Sequence, residues 1–200
     1  MMAATDLVTT SEAAAYLQQP NTTGLLPAWI EAVSARLDDL CGPIVSRTVT
    51  DQLDGGMTSV LLSKPPVLSV TSVTEYVATT ATVLTLATNS SQPTAGYHLD
   101  ALAGRVERRS GASRASFPAG EKNVVVVYAA GRYADTASVG WRFKQAALIA
   151  VSHLWQVEHG TRNQTFSNPE GTAGFGPGWS IPKRALDILG DELSYKVAIA

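Results

Sequence analysis

The chain has 200 residues, of which 45% are hydrophobic and 16% charged, and its formal net charge is −2 at neutral pH. That length can bury a sizeable core unaided, and the composition excludes both low-complexity disorder and collagen-like repeats. So even a charge balance supplies no general basic face of the kind that displaces counterions from many phosphates at once. The first seventeen residues lack the basic start and long apolar stretch of a signal peptide, and nothing in the chain approaches the about 18 apolar residues of a membrane-spanning helix. A soluble chain without an export signal is expected. Within this segment Thr9 and Glu12 have capping-box spacing, which predicts a short helix through about Leu17.

Pro20 and the polar residues after it break the chain, and Pro27 suits the first turn of a second helix. Trp29, Ile30, Val33, Leu37 and Leu40 recur at three- and four-residue steps, so one face is buried, and Gly42-Pro43 ends the helix. Cys41, at that end, is the only cysteine; it excludes an internal disulfide and reads as a small buried residue.

From about Ile44 to Gly131 the texture changes to valine, threonine and leucine in short runs divided by turn residues such as Asp54-Gly55-Gly56 and Gly111-Ala112-Ser113. Six to eight strands are expected. Between Pro65 and Gly104 the only charged residues are Glu75 and Asp100. The run from Asn123 to Tyr128 reads as a central strand covered on both faces. Arg105, Arg108, Arg109 and Arg114 form the one basic cluster, with Glu107 among them; it reads as a solvated hairpin or as a patch facing nucleic acid or an acidic partner.

The longest helix is expected from about Ser138 to His159, with Phe143, Ala147, Leu148, Val151, Leu154 and Trp155 on one face opposite Lys144, Gln145 and Ser152, packed against the second helix. The glycine-rich run Gly171 to Gly178 then leads into a short final helix reaching about Leu193. Phe175, Trp179, Ile181, Pro182, Leu186, Leu189 and Tyr195 place bulky apolar groups on this tethered stretch. Such groups either fold back on their own domain or enter a partner's groove.

No catalytic, cofactor or metal site is expected. His153, Glu158 and His159 tempt as ligands, but six residues separate the two imidazoles and put them on different sides of a helix. The glycine run follows a helix and contains a proline, unlike a phosphate-cradling loop. The Asn-x-Ser/Thr triplets at Asn21, Asn89 and Asn163 need a secretory route that the N-terminus does not offer.

These pieces amount to an α+β chain: a helical core at 1–43 and 132–170, an inserted antiparallel β-rich subdomain at 44–131, and an arm at 171–200. Their order, with Ser11-Glu-Ala-Ala-x-Tyr-Leu17, Trp29, Cys41-Gly42, the run Val124 to Gly131, Lys144-Gln-Ala-Ala-Leu-Ile-Ala150, His153-Leu-Trp155 and Ile181-Pro-Lys-Arg-Ala-Leu-Asp-Ile-Leu189, resembles the head-to-tail adaptor (connector) proteins of long-tailed bacteriophages. The resemblance implies a non-enzymatic neck component of the virion, assembled in the host cytoplasm. It also implies a bundle built from both chain ends, and a ring, twelve-fold in the assembled neck, through which double-stranded DNA passes. The partners implied are the portal protein, gripped by the C-terminal segment, and further neck and tail-completion proteins; no membrane is involved. The β insert is larger than in the smallest members of that family. A carbohydrate- or surface-binding β module on a helical scaffold is the alternative, and it would call for exposed aromatic residues in the insert, which between Ile44 and Tyr128 has only Tyr76, Tyr97, Phe117 and Tyr128.

Overall fold

The computed structural model describes residues 5–18, 24–159 and 181–193. They divide into two units, one made of residues up to 41 together with those from 136 onward, the other of residues 42–135. The first is helical. Helix α1 (Thr10–Leu17) opens on the expected capping box: the Glu12 amide donates to the Thr9 hydroxyl at 3.1 Å, and the Thr9 amide to Glu12 Oε2 at 2.7 Å. Helix α2 (Leu26–Cys41) buries Leu26, Ile30, Val33, Ser34, Leu37 and Cys41 along one stripe. Helix α3 (Trp141–His159) starts later than the apolar pattern suggested, because Gly140 supplies its first carbonyl acceptor, bonded by Phe143 and Lys144. The residues before it are held otherwise, with the Thr136 hydroxyl donating to the Asp6 carbonyl at 2.6 Å.

The long helix lies against α2, where Trp29 and Trp155 meet edge to face with centroids 5.8 Å apart. Such a contact contributes about 0.5–1.5 kcal/mol beyond the area it buries. Lys144 corrects its expected place on the solvent side. It is partly buried, and its Nζ donates to Glu12 Oε1 at 2.7 Å, tying α3 to α1. Helix α4 (Lys183–Leu189) packs on α3 and stops at Gly190, whose φ of +50° is left-handed, so the run to residue 193 continues only as a tight 3₁₀ turn.

The second unit is one eight-stranded sheet. Its strands are β1 (Arg47–Leu53), β2 (Ser59–Leu61), β3 (Val67–Val77), β4 (Thr80–Leu86), β5 (Gly96–Asp100), β6 (Arg105–Ser110), β7 (Ser113–Arg114) and β8 (Val124–Ala130). They are ordered β1-β8-β3-β4-β5-β6-β2, with β7 beside β6. All pairs are antiparallel except β4 with β5, which run parallel over Thr85–Leu86 against Gly96–Tyr97. That exception arises because residues 87–95 return the chain to the far side of β4 instead of reversing it in a hairpin.

Strand β8 is interior, between β1 and β3, as its unbroken apolar run implied. Its two faces differ: Val124, Val126, Tyr128 and Ala130 are buried, whereas Val125, Val127 and Ala129 are only half covered. The buried set joins Val60, Val67, Val73, Leu84, Tyr97, Val106 and Phe117 in one core, against which Val49 and Leu53 of β1 also pack. Strands from both ends of the sheet order thus line the same core, so the sheet curls on itself. Closure at the seam is polar. Asp51 of β1, buried, accepts from the Ser63 amide and hydroxyl at 2.7 Å each and from the Tyr128 hydroxyl at 2.9 Å, which in turn accepts from the Lys64 amide at 3.1 Å. Burial, with the Asp51 carboxylate at its side, holds the Tyr128 phenol above its usual range despite the Ser63 and Lys64 contacts. Gly55 serves the turn after β1: a Cβ there would come 1.9 Å from the Pro118 carbonyl oxygen, so only glycine fits.

Candidate functional site

Two surfaces were expected to carry function, and the structure treats their residues unequally. In the C-terminal stretch, Leu189 is wholly buried together with Ala185, on the side by which α4 belongs to the helical unit. It is a core residue, and this corrects its reading as an exposed anchor. The period of the helix explains it, since Ala185 and Leu189 stand four apart on one face. Ile181, Pro182 and Leu186 remain half-buried. Phe175, Trp179 and Tyr195, with the glycine run from Gly171 to Gly178, lie outside the described residues.

The arginine cluster divides across the two faces of a strand. Alternation in β6 puts Arg105, Glu107 and Arg109 on one side and Arg108 on the other. Arg108 points inward. Its side chain is 12% exposed and grips Glu75 of β3 with two parallel bonds, Nε to Oε2 and Nη2 to Oε1, each 2.9 Å. Its Nη1 also donates to the carbonyls of Thr94 at 3.1 Å and Gly96 at 3.3 Å, and to that of Arg109. Arg108 is therefore a buried clamp that fastens β6 and the 94–96 turn to β3, and no outward patch includes it.

On the other side, three guanidinium groups surround a single carboxylate. Glu107, only 10% exposed, lies 3.3 Å from Arg105, 4.0 Å from Arg109 and 3.8 Å from Arg114. Arg114 reaches it because β7 places it opposite Arg109, and His98 stands opposite Glu107 on β5. Arg105 also lies 3.9 Å from Asp100. Next to this fan is a polar cleft of about 100 Å³, lined by Thr88, Asn89, Gln92, His98, Arg109, Gly111 and Ala112. The sequence reading missed this cleft because Thr88–Gln92 and His98 belong to a neutral stretch whose one pattern, the Asn89 triplet, points to no cleft; only the β4–β5 crossing brings them beside Arg109.

The other sequence candidates are placed as follows. Cys41 is wholly buried at the end of α2. His153 is half-buried on α3, and the side chains of Glu158 and His159 lie outside the described residues. Among the described residues no group of three His, Cys, Asp or Glu side chains is placed to hold a metal ion, and no helix is long and apolar enough to cross a membrane.

Helices from both chain ends and a curled sheet inserted between α2 and α3 in the sequence define an α+β architecture that this chain shares with components of gene transfer agent (GTA) particles. A chain from the neck of an empty GTA particle, computed with C6 symmetry, aligns over 93% of this chain and 89% of its own length, with a TM-score of 0.60 and 15% identity. A chain of the virion of a native gene transfer agent particle covers 78% of this chain and 81% of its own (TM-score 0.55, 16% identity). One from the neck of a native GTA particle, computed with C12 symmetry, covers 78% and 84% (TM-score 0.53, 16% identity). No protein-family model matches the sequence, and no curated protein sequence matches it.

Proposed function

We propose that the chain is a structural neck component of a phage-like virion, a head-to-tail adaptor that assembles as a ring beneath the portal and extends the DNA channel. The observation that carries this reading is the fold, which aligns over 93% of the chain with a chain from the neck of a GTA particle at a TM-score of 0.60. The ring is supported by the symmetry of the similar assemblies, computed as C6 and C12. The role is one of assembly, not catalysis. Further neck and tail proteins dock below the ring, and the particle is built in the host cytoplasm. The net charge of −2 suits a channel that lets DNA slide, because a strongly basic lining would hold the phosphates.

In this reading the portal is gripped by the C-terminal segment, with Phe175, Trp179 and Tyr195 as aromatic anchors and Ile181, Pro182 and Leu186 supporting them. Leu189 is excluded, being in the core. The burial of α4 also decides how the grip is tested. Removing residues 171–200 would take Ala185 and Leu189 out of the helical unit and confuse unfolding with lost binding. The cleaner variant is Phe175→Ser with Trp179→Ser, measured by co-sedimentation with a purified portal ring. Loss of about tenfold or more in association, with an unchanged melting temperature, is expected for two anchor side chains. Undiminished association would place the grip elsewhere.

A further inference from the structure

We propose that the outer face of β5, β6 and β7 is a carboxylate-binding site for an acidic segment of a neighbouring protein. This goes beyond the neck reading and stands or falls separately from it.

Three observations converge. First, the arginine fan is pre-arranged. Arg105, Arg109 and Arg114 come from two paired strands and are drawn together over Glu107, while their own side chains are 46%, 28% and 69% exposed. The carboxylate sits beneath and the guanidinium groups outside, so an approaching group meets positive charge first. Three arginines against Glu107 and Asp100, two acids, leave an excess of one positive charge on this face. None of the contacts with Glu107 is shorter than 3.3 Å, so the fan keeps donors for a further oxyanion.

Second, the cleft beside the fan supplies complementary partners. Arg109 lines it together with His98 and the polar side chains of Thr88, Asn89 and Gln92. An incoming carboxylate there meets a guanidinium on one oxygen and neutral donors on the other, the arrangement that makes charge-assisted bonds strong and directional.

Third, charge chooses between protein and nucleic acid. A surplus of one charge falls short of the several phosphate neutralisations on which duplex binding depends. The chemistry is therefore that of a Glu- or Asp-rich protein segment, one side chain in the cleft and its neighbours across Arg105 and Arg114.

The test uses the full chain and a fluorescein-labelled decaglutamate peptide, followed by fluorescence anisotropy, with NMR shifts of the Gly111 and Ala112 amides to locate the contact. Saturable binding that shifts those amides is expected. Arg109→Gln and Arg114→Gln should each weaken it about tenfold, the loss of one charge-assisted bond. Glu107→Gln should tighten it several-fold by removing the competing negative charge, a gain that a damaged fold would not produce. A 20-base-pair duplex at the same salt concentration should bind more weakly than the peptide. No saturable peptide binding, indifference to all three substitutions, or duplex DNA binding as tightly as the peptide would each overturn the proposal.

Discussion

Glu12 does two jobs with one carboxylate, receiving the Thr9 amide on Oε2 and the Lys144 ammonium on Oε1. Burial alone would raise its pKa. The hydrogen bonds from Lys144 and Thr9 and the charge of Lys144 outweigh that, and the pKa ends below the usual glutamate value. A carboxyl whose folded pKa is depressed contributes stability that is complete above its unfolded pKa and is lost as pH falls through the folded one. Glu12→Gln should therefore lower the melting temperature at neutral pH, and its gap from the parent chain should close as the solution is acidified below the glutamate range. A gap independent of pH would show that the ion pair is not its source. The Thr9–Glu12 half of this arrangement was legible in the sequence because it is local. The Lys144 half joins residues 132 apart, and no spacing rule announces it.

The buried pair Arg108–Glu75 behaves differently, since both side chains are almost fully enclosed. Arg108→Leu alone strands a carboxylate in the sheet core and should cost about 3–5 kcal/mol, whereas Glu75→Leu with Arg108→Leu should recover most of it. Urea unfolding of the two variants measures the difference; equal losses would contradict the clamp. The sequence holds a signal that separates Arg108 from its neighbours. The period of two in β6 already puts it opposite Arg105 and Arg109, and Glu75 is the lone acid in a long neutral stretch.

At the scale of elements, β4 is covered unevenly. Strand β3 pairs with it from Thr80 to Leu84, but β5 reaches it only at Thr85 and Leu86. Thr85 donates outward, to the Ala95 carbonyl, so by alternation Ala81 and Val83 also turn their backbone groups outward, where no strand among the described residues meets them. The amides of Ala81 and Val83 should exchange with solvent markedly faster than those of Thr82 and Leu84, read by hydrogen exchange and NMR. Uniform protection along β4 would mean that the edge is already covered. Existence and type of most elements were readable from periodicity and turn residues. The parallel β4–β5 pair was not, because it depends on where residues 87–95 return the chain. Nor was the inward turn of Leu189 decided, since bulky apolar residues on a short helix fit a core and a partner's groove equally well.

For the whole molecule, the order of helix, strand and helix segments carried the fold, and the chains that share it come from GTA particles. Chemistry-bearing motifs contributed nothing to that outcome. The two surfaces proposed to carry function, the arginine fan and the C-terminal anchors, likewise rest on no such motif. The most direct test of the neck assignment is electron microscopy of the purified chain mixed with a purified portal ring. The assignment predicts a closed ring of added density, twelve-fold about the portal axis, on one end of the portal; bare portal rings beside unassembled chain at saturating concentration would contradict it.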